Sequence, residues 1–218
     1  MFKVDLHTHS TLSKDGGITE AQYRYVLEQG NLDCIAITDH NQIDLAMLLQ
    51  RSLGNKIIVG EEIMTTRGEI IGLYLTQLVA PQQSPLDTAK AIRAQGGLVY
   101  IPHPFETVRH GLQESDMDEL SDYIDIVEVH NGRAVFQNRS NKALLWSTMH
   151  QKPWAASSDA HGARGLGKTY TILREMPDHT TMLDLVTKGQ AIVARPPMKT
   201  LLYPKFNRVK KRIRKGSN

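Results

Sequence analysis

The sequence predicts an α/β protein with a mainly parallel sheet, and three observations support this prediction. Short apolar segments rich in β-branched residues recur along the chain, as expected for buried strands. Helix-like segments with capping residues lie between them, an alternation typical of βαβ units. Side chains that bind metals follow several of the apolar segments. A chain of 218 residues is long enough for one barrel or layered domain with a substantial core.

The predicted strands are, in chain order, FKVDLH, CIAIT, KIIVGEEI, IIGLYL, GLVYIP, IDIVEVH, PWAASS, TYTIL and AIVAR. Two of the intervening helices have clear start signals. Thr19 and Gln22 form a capping-box pattern before the first helix. Ser84 followed by Pro85 is typical of a helix N-terminus. The alternation stops where RPPMKT interrupts it.

We therefore predict one domain over residues 1–196 and a basic C-terminal tail over 197–218. The net charge is +3, but residues 191–218 contain nine Lys or Arg and no Asp or Glu, so the rest of the chain is acidic. A solvated, partly disordered end is one interpretation of the tail. The other is contact with an anionic partner, whether nucleic acid, acidic lipid or polymer. Phe206, Val209 and Ile213 would share one face of a short amphipathic helix.

Cysteine use and hydropathy predict the compartment. Cys34 is the only cysteine and lies in the apolar segment CIAIT, which indicates a buried strand residue in a reducing compartment. The N-terminus lacks an apolar signal segment, and no stretch approaches the roughly 20 apolar residues of a membrane span. We expect a cytoplasmic protein without a transmembrane segment.

Histidine and carboxylate residues gather at the C-terminal ends of the predicted strands, where barrels of parallel strands build active sites. They are His7, His9, Asp39, His40, Glu61, Glu62, His103, His130, Asp159 and His161. Imidazole and carboxylate without thiolate favour Zn, Mn or Fe. One ion takes only three or four such ligands, so the set predicts two or three divalent ions. Paired ions suit the in-line displacement of phosphoester hydrolysis.

Seven motifs together resemble a known family. DLHTHS, SKDGGIT, AITDHN, VGEEI, IPHPF, VEVHNGR and SSDAHG run in order through residues 5–162. This ordered set resembles the polymerase and histidinol phosphatase (PHP) family of metal-dependent phosphoesterases. The resemblance implies a distorted (β/α)7 barrel with a trinuclear metal centre at the C-terminal ends of the strands.

The resemblance also implies which residues bind each ion. The first ion would be held by His7, His9, Glu62 and Asp159, the second by Glu62 as a bridge with His103 and His130, and the third by Asp15, His40 and His161. Glu62 is preferred to Glu61 because of the preceding Gly-x-Glu pattern, and Asp39 is expected to orient an imidazole. Two alternatives stay open. The SKDGG segment is also typical of a Gly-rich surface turn, in which Asp15 would bind no metal. The His130 imidazole would instead form a hydrogen bond with a neighbouring backbone carbonyl.

Arginine suits phosphate because its planar fork binds phosphate oxygens in pairs. Arg133 and Arg164 follow ligand positions and are predicted to bind substrate together with Asn131, although either arginine would also fit an ordinary surface position. The predicted catalytic residues are Glu62, His40 and His161. The remaining histidines match no motif and are expected on the surface or on helices: His110, His150 and His179.

The leading hypothesis is hydrolysis of a small phosphomonoester, or a small phosphodiester, by attack of a metal-bridging hydroxide on phosphorus. Only 26 residues separate His103 from His130, so the domain that the resemblance places there in nucleotide-specific relatives is absent. A 3′-5′ exonuclease or other nucleic-acid phosphodiesterase that uses the basic tail is the alternative. A protein tyrosine phosphatase and a non-catalytic binding module are further alternatives.

Overall fold

A computed structural model of the protein describes residues 1–135 and 137–216. Within these residues the strands are β1 (Phe2–Asp5), β2 (Cys34–His40), β3 (Ile57–Met64), β4 (Glu69–Leu73), β5 (Leu98–Ile101), β6 (Ile126–Asn131), β7 (Trp154–Ser157), β8 (Thr169–Leu173) and β9 (Gln190–Val193). The α-helices are α1 (Glu20–Glu28), α2 (Asp44–Leu53), α3 (Pro85–Ala94), α4 (Glu114–Glu119), α5 (Ser140–Met149), α6 (Met182–Thr187) and α7 (Tyr203–Gly216).

The strands form one mixed sheet in the order β7-β6-β5-β4-β3-β2-β1-β8-β9. Strands β1, β2, β3, β5, β6 and β7 run in one direction, but β4 is antiparallel to both its neighbours. Only residues 65–68 connect β3 to β4, which is a hairpin and too short for a parallel crossover. The expectation of a mainly parallel sheet therefore fails at β4, and β8 is also antiparallel to β1 and β9.

Side chains and short bridges bring the two ends of this sheet together. The Thr171 hydroxyl of β8 donates to Ala156 O of β7 at 3.0 Å and accepts from Ala156 N at 2.9 Å. Beyond the strand ends, Thr8 and Ala160 form a parallel bridge. The sheet is thus a nearly closed, distorted barrel surrounded by helices, which confirms the predicted fold class.

Alternate strand residues pack into two hydrophobic clusters, as the two-residue period of a strand requires. Ile35 and Ile37 of β2 join the cluster that helices α1 to α5 cover. Cys34 and Ala36 face the other cluster, which includes residues of α6. Burial raises the pKa of the Cys34 thiol to about 12, so its environment is that of a core residue.

The predicted helix starts are present. Thr19 and Gln22 form both hydrogen bonds of the capping box at α1, and the Ser84 hydroxyl accepts from Asp87 N at α3. The tail is helical: α7 packs beside the loop after β1, where Lys211 Nζ donates to Thr11 O and Gly16 O at 2.8 and 2.9 Å. None of the helices in the described ranges combines the length and hydrophobicity that crossing a bilayer requires.

Candidate metal centre

Glu62, near the end of β3, is the carboxylate on which the imidazoles converge. Its Oε1 lies 3.1 Å from His103 Nε2, and its Oε2 lies 3.2 Å from both His9 Nε2 and His40 Nδ1. Burial alone raises the pKa of this carboxyl, but His40 and His7 outweigh it and hold that pKa well below its usual range. An ionised carboxylate with each oxygen facing different imidazoles has the geometry of a bridge between two cations.

His7 and His9 lie just beyond β1, with their Nε2 atoms 3.0 Å apart. Both rings are fully buried. Asp159 Oδ1 lies 3.6 Å from His7 Nε2 and 3.5 Å from His9 Nε2. Two ring nitrogens that face each other in a buried site need a shared proton or a cation between them, and the nearby carboxylate favours a cation.

Asp15 is brought to the centre by a tight loop after β1. Its Oδ1 lies 3.5 Å from His40 Nε2 and 3.6 Å from His161 Nε2. Gly16 makes this possible, because a Cβ there would lie only 2.1 Å from Ser10 O. Asp15 is buried, so the SKDGG segment is part of the site and not an ordinary surface turn.

The described residues fit divalent metal ions. In each of four overlapping groups, the possible ligand atoms lie within 4.8 Å of one another. These groups are His9–Asp15–His40–His161, His7–Glu62–His103, His7–His9–Asp159 and His40–Glu62–Glu69. In addition, His40 Nδ1 is buried without a hydrogen-bond partner in the described part of the chain, although it faces two carboxylates. Imidazole and carboxylate donors at these spacings are suited to Zn, Mn or Fe.

His130 is the one predicted ligand that the structure does not bring to this cluster. The register of β6 against β7 shifts between Glu128 and His130, which marks a β-bulge. The bulge leaves the half-buried His130 ring edge-on to Trp154, with ring centroids 5.8 Å apart. The expectation that His130 completes the second ion's ligands is therefore corrected.

Glu69 is present at the centre although the sequence analysis did not select it. Its Oε1 lies 3.4 Å from His40 Nδ1 and its Oε2 lies 3.7 Å from His103 Nε2. Glu69 is the first residue of β4, and because β4 runs against its neighbours, its N-terminal end lies at the edge where the other strands end. A search restricted to the C-terminal ends of strands misses such a residue.

Glu128 orients two residues of the centre. Its Oε1 lies 3.1 Å from His7 Nδ1, and its Oε2 accepts from His103 N at 2.7 Å. Asp39, which was expected to orient an imidazole, instead accepts hydrogen bonds from the backbone and hydroxyl of Ser10. Glu128, the only carboxylate of the VEVHNGR motif, thus has the role that was predicted for Asp39.

Two arginines contact Asp159, and Asn131 lies beside them. Arg109 Nη1 donates to Asp159 Oδ2 at 2.6 Å, and Arg133 Nη1 lies 3.3 Å from each of its oxygens. Burial alone raises the pKa of Asp159, but Arg133 and the imidazoles outweigh it and hold that pKa well below its usual range. Asn131 donates to Glu128 at 2.8 Å and accepts from Arg109 at 2.6 Å, so its buried amide holds the site together and is not free for substrate.

A cavity of about 280 Å³ opens over the centre. The cationic side chains on its wall are Lys14, Arg109, Arg133 and Arg208. Arg164 is exposed and is not among the residues that line this cavity, which favours the alternative of an ordinary surface position. His110, which was expected on the surface or on a helix, is exposed and also lines this cavity. Sequence reasoning had no signal for Arg109, Lys14 or Arg208, because each reaches the cavity from a loop or from α7.

Sequence comparisons match this chain to a family model and to a relative. Residues 138–191 match a family model described as PHP-associated. The chain is 32% identical over 182 residues to the uncharacterized protein MJ0417 of Methanocaldococcus jannaschii, which covers 80% of this chain and 71% of that protein.

Two solved structures share the fold. One is a two-domain protein from Bacteroides vulgatus that contains a predicted PHP-like metal-dependent phosphoesterase; its TM-score is 0.69 at 20% identity, over 95% of this chain and 69% of that chain. The other is PsfC from Pseudomonas syringae, with a TM-score of 0.65 at 15% sequence identity. The match covers 97% of this chain and 98% of PsfC. At these identities the two structures indicate a common fold.

Proposed function

This chain belongs to the PHP family, and on that premise we propose that it is a metal-dependent phosphoesterase that hydrolyses phosphomonoesters or small phosphodiesters. The observation that carries the proposal is Glu62, a carboxylate that faces His9, His40 and His103 at the base of a cavity with a cationic wall. A cavity of about 280 Å³ is small for a ligand site and favours a phosphoryl group on a small leaving group.

The chain's own residues have separate tasks in this proposal. Bound divalent ions supply an activated water and neutralise the charge that develops on phosphorus. His7, His9 and Asp159 would hold the first ion, Glu62 would link it to a second ion with His103, and Asp15, His40 and His161 would hold the third. Glu69 would supply the remaining protein ligand of the second ion, because its carboxylate faces His40 and His103 whereas His130 lies beside Trp154.

The basic side chains of the cavity wall would bind the substrate. Arg133 is held against Asp159, so its guanidinium lies directly beside the centre. Lys14 and Arg208 line the same cavity, and Arg208 Nη2 lies 3.7 Å from Asp15 Oδ2. Charged donors of this kind bind phosphate oxygens strongly. Arg109 is occupied by Asp159 and Glu106, so we assign it to positioning Asp159.

The test measures both the metal content and the phosphoesterase activity of the purified protein. Protein purified without chelator should contain two or three Zn, Mn or Fe ions per chain and hydrolyse members of a panel of phosphomonoesters, phosphodiesters and phosphotyrosine peptides. Glu62→Gln and His103→Ala should lose both metal and activity, whereas His179→Ala, exposed and outside the cavity, should lose neither. Less than one ion per chain after reloading, with no turnover, would reject the proposal in favour of a binding module.

A nucleic-acid phosphodiesterase is the second candidate, and one observation favours it. A groove of about 950 Å³ adjoins the metal cavity and shares Lys14, His40 and Arg208 with it. Lys210, Lys211 and Arg212 of α7 also line this groove. If this groove binds a nucleic-acid strand, the affinity of the protein for an oligonucleotide should fall steeply as the salt concentration rises. The protein should also cleave oligonucleotides. Hydrolysis of small phosphoesters alone would leave the first candidate.

A further inference from the structure

Helix α7 packs against the barrel through its polar side. Asn207 Nδ2 donates to Asp15 O at 2.8 Å and to His161 O at 3.0 Å. Lys211 Nζ donates to three carbonyls of the loop after β1. Pro204, on the same side, is buried. In the described part of the chain, this helix is therefore fixed by hydrogen bonds together with Pro204 and the Tyr203 ring, which lies close to Gly162.

The apolar side of α7 points away from the protein. Phe206 is 63% exposed, Val209 is 48% exposed, and Leu202, just before the helix, is 50% exposed. At about 3.6 residues per turn, Phe206 and Val209 lie on the opposite side of the helix from Asn207 and Lys211. Neither belongs to a hydrophobic cluster of the described residues. A surface helix usually buries its apolar side, so this orientation calls for a partner.

Cations border this outward side. Lys205, Lys210 and Arg212 are all exposed on α7. No Asp or Glu occurs in residues 191–218, so no acidic side chain of this segment offsets their charge. An apolar strip bordered by Lys and Arg is the pattern of a helix that lies in the interface of a membrane. The partner must therefore be both apolar and anionic.

We propose that the outward side of α7 binds the surface of an anionic lipid bilayer. The 14-residue helix is about 21 Å long and would lie in the plane of the bilayer, with Phe206 and Val209 below the headgroups. Lys205, Lys210 and Arg212 would contact anionic headgroups. Because Pro204 and Arg208 of the same helix line the metal cavity, the cavity would lie within about one helix diameter of the membrane.

Two other partners fit the surface less well. A second copy of this chain would bring the same cations together, and like charges repel. A nucleic acid would use the cations but would leave Phe206 and Val209 in water. The bilayer is the partner that uses both features, and this inference goes beyond the proposed enzymatic function and does not depend on it.

The test is flotation of the full chain with vesicles of phosphatidylcholine, with and without about one-third phosphatidylglycerol. We expect binding to the anionic vesicles only, and weaker binding at high salt. The double variant Phe206→Ser with Val209→Ser should weaken binding by about tenfold or more. Leu145→Ser with Met149→Ser is the matched control, since that pair is 61% and 70% exposed on α5 and should bind like the parent chain.

Other variants separate the competing outcomes. Lys205→Gln, Lys210→Gln and Arg212→Gln together should also weaken binding, whereas Glu62→Gln should retain it, so that loss of the metal centre is distinguished from loss of this surface. No binding to anionic vesicles would overturn the proposal. Equal losses in the α5 control would overturn it as well. Concentration-dependent dimerisation that Phe206→Ser abolishes, or oligonucleotide binding without vesicle binding, would assign the surface to those partners instead.

Discussion

Glu128 Oε1 lies 3.1 Å from Nδ1 of His7, and this contact determines which nitrogen of the ring faces the metal centre. Burial alone raises the pKa of Glu128, but His7 outweighs it and lowers that pKa, so the carboxylate accepts and Nδ1–H donates. The lone pair of His7 Nε2 then points toward Glu62 and Asp159. A carboxylate behind a metal-binding histidine raises the basicity of the ring and fixes its orientation.

Glu128→Gln should therefore weaken metal binding by about 10- to 100-fold while leaving the fold intact. The amide is nearly isosteric but carries no charge to hold the His7 tautomer. Metal affinity measured by competition with a chelating dye tests this, and Glu28→Gln, an exposed change on α1, serves as the control. Unchanged affinity in Glu128→Gln would show that the contact does not support metal binding.

Glu69→Gln should reduce the number of ions bound per chain, and His130→Ala should not. Glu69 faces His40 and His103, whereas His130 lies beside Trp154. Elemental analysis of the two purified variants measures this directly. Loss of an ion from His130→Ala, with Glu69→Gln unaffected, would restore the ligand set that the sequence motifs imply.

Arg133→Ala should raise KM for a phosphomonoester by about tenfold or more, since a hydrogen bond to a charged group contributes about 1.5–3 kcal/mol. Arg164→Ala should leave KM unchanged because that side chain is exposed and outside the cavity. Steady-state kinetics on metal-loaded protein compares the two. Arg133→Lys should recover only part of the loss, because an ammonium lacks the planar fork. Equal effects at both arginines would argue against a specific phosphate contact.

Thr171→Val should lower the free energy of unfolding by about 1–3 kcal/mol, since Ala156 N and O would lose their partner in the buried seam between β7 and β8. Urea denaturation measures the change. Thr148→Val provides the comparison, because its hydroxyl bonds to Leu144 O on the exposed side of α5. A destabilisation no larger than that of Thr148→Val would mean that the hydroxyl does not close the barrel.

Local signals in the sequence were sufficient for several elements. The capping residues at Thr19 and Ser84 begin helices where predicted, because a helix N-terminus is defined by contacts within about four residues. The apolar segment Cys34 to Ile37 likewise forms part of a buried strand, as predicted. These features depend on neighbours in the chain, which a sequence displays directly.

The direction of β4 and the bulge in β6 were not predictable in this way. Glu69 lies at the centre at the start of the reversed strand β4, and His130 lies outside it where the β6–β7 register shifts. His103 and Asp159 also adopt positive φ angles of 32° and 49°, which residues other than glycine rarely do. Such geometry is imposed by packing around the residue.

The sequence by itself determined the α/β class, the order of the motifs and the donor chemistry of a site rich in imidazole and carboxylate. The tertiary structure decided which of those donors meet, added Glu69, Glu128 and Arg109, and turned the apolar side of α7 outward. The physical reason is the separation along the chain of the residues that interact. Residue type and local periodicity are properties of short segments, whereas strand direction, register and the side on which a helix packs depend on contacts between residues far apart in the chain.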